Sequence, residues 1–174
     1  MKVLHVGCGG EHVPFTNCTE IRMDMDPGTG ADIIGNMLEI PMDDGSVDAI
    51  YTSHTLEHVT LHDGLRALRE FRRVLVDGGR AWVIVPNIAS IAQRILDGKM
   101  YEVVYEAAYK VCAADMLYGH QELMEEHGGD KPFRFQHKFG YTPETLQQSF
   151  EAAGFKDVKT KALNTFDVVC TGIK

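Results

Sequence analysis

The chain has 174 residues and a formal net charge of −8, with 17 Lys and Arg against 25 Asp and Glu. The length suits a single domain with a sizeable core, and 44% hydrophobic with 24% charged residues is ordinary globular composition. The acidic balance argues against nucleic acid as a partner, four scattered cysteines exclude a zinc knuckle and a disulfide scaffold, and no apolar run is long enough to span a membrane.

Strand-like runs are expected at Val3–Val6, Glu20–Met23, Ala31–Ile34, Ala49–Tyr51, Ala81–Val85, Val158–Lys161 and Phe166–Thr171. Several are apolar throughout, as strands covered on both faces of a parallel sheet are. With Met1 so close to the first run there is no room for a signal peptide, and a reducing cytoplasmic setting is expected. A helix is expected from Thr60 to Val76, because Leu61, Leu65, Leu68, Phe71 and Leu75 recur at spacings of three and four. Thr60 caps it, and Asp77-Gly78-Gly79 supplies the stop. Another helix is expected from Pro143 to Ala153, with Thr142 at its N-cap and Gly154 at its end. Ala89–Leu96 and Tyr101–Met124 also read as helical, followed by a loop at Gly128-Gly129-Asp130-Lys131-Pro132. Strands alternating with helices imply an α/β domain over residues 1–174, with residues 88–137 as a helical lid or substrate insertion, or else a plain helical extension.

The chemistry begins in VLHVGCGGEHVPF, residues 3–15, where a strand breaks into a glycine turn. The dinucleotide pattern G-x-G-x-x-G fails at His12, and no Gly-Lys-Ser/Thr follows for a P-loop. Gly7-Cys8-Gly9-Gly10 still lets a ligand approach the backbone closely. Asp24 ends the second strand, where an acid in an open parallel sheet reaches the two hydroxyls of a ribose. Asp26 is the competing acid, and its Asp-Pro-Gly setting marks it as a turn residue.

VLHVGCG, MDMDP, GNMLEIPMDDGSVDAIYTSHTLEH, REFRRVLVDGGRAWVIVPN and HKFGYTPETLQQSFEAAGF occur in that order. The series resembles class I S-adenosylmethionine-dependent methyltransferases, especially the small type with a short glycine loop. The resemblance implies a Rossmann-like seven-stranded, mostly parallel sheet with one antiparallel edge strand, and S-adenosyl-L-methionine as cofactor. It places Gly7, Cys8 and Gly9 along the methionine and ribose, Asp24 on the ribose hydroxyls and Met25 beside the adenine. Asn36 takes the adenine amino group, Met37 and Leu38 border the ring, and Ser53 with His54 faces the reactive end. Asp48 occupies a position that is structural in the family. His5 stands where many members carry Asp or Asn, and residues 10–19 replace a helix, so the methionine end falls to His5, Glu11 and His12.

The expected function is methyl transfer to a small-molecule or saccharide-like acceptor; the alternative is a non-catalytic binder of the same cofactor acting as sensor or scaffold. Candidate bases are His54, His58 and His137, each of which has a structural alternative, while Tyr118 and His120 are candidates for lining the acceptor pocket. His54-Thr-Leu-Glu57-His58 also matches H-x-x-E-H, in which His54 and His58 chelate zinc and Glu57 is the base. That reading leaves the glycine turn and Asp24 unexplained, so no metal is expected, and His62 is read as a solvated helix-start residue. Oligomeric state is left open by the sequence.

Overall fold

A computed structural model describes residues 1–106, 110–126, 135–163 and 166–174. Its strands are β1 (Lys2–Val6), β2 (Thr19–Asp24), β3 (Ile33–Ile34), β4 (Val47–Ser53), β5 (Leu75–Pro86), β6 (Val103–Glu106), β7 (Lys110–Cys112), β8 (Lys156–Ala162) and β9 (Asp167–Ile173). Its helices are α1 (Leu61–Val74), α2 (Ile88–Leu96), α3 (Ala113–Tyr118), α4 (Gln121–Glu126) and α5 (Pro143–Ala152). Seven strands form one sheet in the order β3-β2-β1-β4-β5-β9-β8. The first five are parallel, and β9 runs antiparallel to both β5 and β8. The expected Rossmann-like sheet is therefore present, with its antiparallel strand β9 one place in from the edge strand β8. Strand order reverses between β1 and β4, so the loops leaving their carboxyl ends diverge over a crevice.

Helices α1 and α5 cover one face. Leu4, Val6, Ile50, Val83 and Val85 of the sheet share a fully buried core with Leu68 and Phe71 of α1 and Leu146 and Phe150 of α5. The apolar periodicity seen in the sequence is this contact. Thr60 caps α1 by accepting from the Asp63 N–H. The helix stops at Val74, two residues short of the expected end, because Leu75 already pairs with Val47 as the start of β5. Asp77-Gly78-Gly79 therefore makes a bulge within β5 instead of ending a helix, with Gly78 at φ 78°.

The opposite face carries no helix between β1 and β2. Residues 10–18 cross it as a loop anchored by Glu20, which accepts from Val13 N–H at 2.8 Å, His12 Nδ1 at 2.6 Å and His5 Nδ1 at 3.0 Å. Phe15 packs against Tyr51 and Trp82, with ring centroids 5.5 and 5.3 Å away. An aromatic wedge and a carboxylate clasp take the place of the helix.

Residues 88–126 depart from the sequence expectation. Ala89–Leu96 is helical, as α2, but Tyr101–Met124 is not one helix: it divides into the antiparallel pair β6–β7 and the short helices α3 and α4. Val103, Val104, Tyr105 and Val111 favour extended backbone, which overrides the helical reading. Ile91, Ala113 and Met116 form a small second core there, flanked by Val104, Val111 and Phe166. The expected loop at Gly128–Pro132 lies outside the described residues.

Candidate active site

The first half of the site sits where β1 and β2 end. Gly7 and Cys8 N–H both donate to the Met23 carbonyl, at 2.8 and 3.2 Å, which turns the chain sharply out of β1. Gly7 and Gly9 have φ of 66° and 52°, a region that glycine enters without steric cost. The Asp24 carboxylate closes the loop from β2, accepting from Gly9 N–H at 2.8 Å and Asp26 N–H at 2.9 Å. Arg22 clamps the far side by donating to the Gly9 carbonyl at 2.8 Å. A side chain at Gly9 or Gly10 would meet nothing, so the loop presents bare backbone to open space.

Asn36 accepts from Leu38 N–H at 3.0 Å and holds a turn below this loop, with Met37 and Leu38 packed against the core. Met25 is exposed. Asp26 caps the turn at Pro27–Thr29, and Asp48 accepts from Lys2 N–H, so both serve the structural roles read for them. His5 is buried beneath residues 10–18, bonded to Glu20 and edge-on to Tyr51. His12 is held by the same Glu20. Glu11 N–H closes a turn onto the Cys8 carbonyl.

The second half follows β4. Ser53 ends the strand, and His54 adopts φ 52°, a left-handed conformation that is costly for histidine and commonly marks functional sites. Thr55 joins the two halves: its hydroxyl lies 3.5 Å from the Gly7 carbonyl, and a Cβ at Gly7 would overlap the Thr55 side chain. A single turn at Leu56–His58 then directs Glu57 inward, where it is 1% exposed.

His54, His58 and His137 line one cavity of about 160 Å³, together with Asp115, His120 and Tyr105. An adjoining cavity shares His137 and Met116 with it and is bordered by Tyr118. His54 Nδ1 lies 3.6 Å from Glu57 Oε1, and its Nε2 lies 3.5 Å from Asp167 Oδ1. His137 Nε2 lies 3.9 Å from Glu57 Oε1, and the His58 and His137 rings meet edge to face at 4.9 Å. His62 is exposed at the start of α1, away from this group. His54 and His58 do not share an α-helix, so the paired chelation of the H-x-x-E-H reading is not what this local structure builds.

Electrostatics separates the histidines. Burial pushes His54 toward neutrality, but Glu57 and Asp167 outweigh it and hold the imidazole above its usual value. Burial also lowers His137, and Glu57 offsets this only in part. Burial raises Glu57, but His54 foremost, with His58 and His137, keeps its carboxyl below the usual range. Sequence reasoning attached Glu57 only to the zinc motif and missed Asp115, Asp167, Thr55 and Arg22. Arg22, Thr55 and Asp167 act through partners distant in sequence, whereas Asp115 caps α3 locally at Cys112 and lines the cavity only through the packing of that helix.

Residues 4–83 match the family described as a methyltransferase domain. They run from β1 through the first nine residues of β5 and include the glycine loop, Asp24 and the turn that carries His54, Glu57 and His58. Over that segment, a little under half of the chain, the sequence is similar to the methyltransferase-domain family. The fold is shared with a SAM-dependent methyltransferase from Aquifex aeolicus (14% identity, TM-score 0.60), covering 99% of this chain and 81% of the other. Similar enzymes from Archaeoglobus fulgidus (15%, TM-score 0.61, 99% and 86% covered) and Methanosarcina mazei (13%, TM-score 0.63, 99% and 92% covered) share it too. No protein of curated function matches the sequence. The cofactor implied for the methyltransferase domain is S-adenosylmethionine, and the cradle fits it: bare glycine backbone faces open space, with a carboxylate at the end of β2. Among the described residues, no helix is long and apolar enough to cross a membrane.

Proposed function

We propose that the protein transfers a methyl group to a small-molecule or saccharide-like acceptor held in the histidine-lined cavity beside the cradle. The observation that carries this reading is the junction at Thr55, which brings the glycine loop and the residue after β4 into contact at the strand-order reversal. When bound, S-adenosylmethionine supplies an activated methyl group. Gly7, Cys8 and Gly9 bind its methionine and ribose, and Asp24 accepts from the ribose hydroxyls. Met25, Asn36, Met37 and Leu38 border the adenine, and Ser53 faces the reactive end.

His54 is placed to take the proton of an acceptor hydroxyl or amine, because Glu57 and Asp167 flank its two ring nitrogens and stabilise the imidazolium that forms. His58 and His137 line the acceptor side of the cavity. The insertion contributes Tyr105, Val111, Asp115, Met116 and His120 to the lining of that cavity, and its proposed role as a lid is to favour orientation of the two reactants.

Calorimetric titration with S-adenosylhomocysteine tests the cradle. Wild type is expected to bind, and Asp24→Ala is expected to bind about tenfold or more weakly, because it removes a charged hydrogen-bond acceptor. Absence of binding at millimolar ligand sinks the reading. With labelled S-adenosylmethionine and a panel of hydroxylated acceptors, His54→Gln is expected to lower turnover by about 10²–10⁴-fold while leaving S-adenosylhomocysteine affinity unchanged. Binding without turnover on any acceptor would favour the non-catalytic alternative.

A further inference from the structure

Glu57 has a problem that methyl transfer alone does not resolve. It is 1% exposed, and among the described residues neither carboxylate oxygen has a hydrogen-bond partner. His54 and His137 stand 3.6 and 3.9 Å from Oε1, too far for a hydrogen bond. A carboxylate buried in this way is costly unless a cation joins it, and His54, the ring that Glu57 and Asp167 favour as a cation, stands beyond hydrogen-bond reach.

The neighbouring rings are oriented to supply that cation's other ligands. His58 Nδ1 lies 3.1 Å from the Gln136 carbonyl, and His137 Nδ1 lies 2.8 Å from the Met116 carbonyl. A carbonyl accepts only from N–H, so both rings donate from Nδ1, and Nε2 is the nitrogen each can offer to an ion. Metal-binding histidines are held in this way, with the second nitrogen bonded to a carbonyl that sets tautomer and orientation. One ligand atom from each of Glu57, His58 and His137 lies within 4.8 Å of the others, close enough to close on an ion by side-chain adjustment.

We propose that Glu57, His58 and His137 bind a divalent first-row metal ion, with an open coordination position toward the cavity that takes an oxygen of the methyl acceptor. Two imidazoles and one carboxylate suit Zn²⁺ and its first-row neighbours, whereas Mg²⁺ and Ca²⁺ favour oxygen ligands alone. Three protein ligands leave such an ion open to a substrate oxygen. The acceptor class follows: a hydroxyl or carboxylate compound that can coordinate metal. This trio differs from the one in the H-x-x-E-H reading. Glu57 becomes a ligand instead of a base, and His137, from the segment before α5, replaces His54. The metal site stands on these side chains alone; the role of its open position rests on the methyl-transfer reading.

The test is calorimetric titration of the full, chelator-stripped chain with Zn²⁺ alone, with metal content read by mass spectrometry. One equivalent is expected in wild type and in His62→Ala, which removes an exposed histidine outside the trio. Affinity is expected to fall at least about tenfold in His58→Ala and in His137→Ala, with circular dichroism confirming that each variant is folded. No stoichiometric uptake by wild type, or affinity unmoved in the folded His58→Ala and His137→Ala variants, overturns the site. Titration of the zinc-free chain with S-adenosylhomocysteine separates the two readings. Zinc uptake without nucleoside binding keeps the metal and removes the acceptor role. Nucleoside binding without zinc uptake keeps the methyltransferase and overturns the metal.

Discussion

Gly64 lies where α1 passes closest to Tyr141, and a Cβ there would sit 2.5 Å from the tyrosine hydroxyl. That hydroxyl is buried, with no hydrogen-bond partner among the described residues. Gly64→Ala is therefore expected to destabilise the protein by about 1–3 kcal/mol through overpacking. In a Tyr141→Phe background the clashing oxygen is gone, and the same change should stabilise by up to about 1 kcal/mol, the usual gain of alanine over glycine within a helix. Urea unfolding of the four proteins measures the coupling; additive effects would mean that the close approach is not why glycine occupies the position. Residues differ in how far they could be read in this way. Asp24 was legible because a strand, a turn and an acid lie in sequence order. Glu57 was visible only inside a motif that gave it another role, since its setting depends on His137 and on the fold that buries it.

At the scale of elements, the loop over residues 10–18 depends on Glu20. Burial raises that carboxyl, but hydrogen bonds from His12, Val13 N–H and His5 outweigh it and hold Glu20 below its usual value. A group depressed in the folded state contributes stability above its unfolded value, about 4.3, and loses it as pH falls through the lower folded one. Acidification below about pH 4.3 should therefore release the loop. Trp82, the only tryptophan, packs on Phe15 of the loop and reports the release as a red shift in emission. Glu20→Gln should show that shift already at neutral pH, and an unmoved spectrum would remove Glu20 as the anchor. Helices α1 and α5 were readable from their apolar period and caps, because each buries one stripe on the sheet. Tyr101–Met124 was not. Its extended pair packs over the small second core, and tertiary contact overrode the local helical preference.

Over the whole molecule the two cores are unequal. One runs the width of the sheet beneath α1 and α5, while the other, among the described residues, holds three buried side chains within the insertion. Hydrogen exchange should follow this division, with amides of β1, β4 and β5 exchanging last and those of α2 and α3 well before them. Exchange mass spectrometry reads the order directly, and equal protection would show that the insertion unfolds only with the sheet. The same division separates what was legible. The sequence by itself determined the alternation of strands and helices, the glycine loop and the acid after β2, because these are contiguous patterns whose physics is local. Only the tertiary structure decided the second half of the site. There His54 leaves β4, Asp167 opens β9, Asp115 comes from α3 and His137 precedes α5. They converge because of strand order and packing between distant segments, and no local stretch of sequence carries that information.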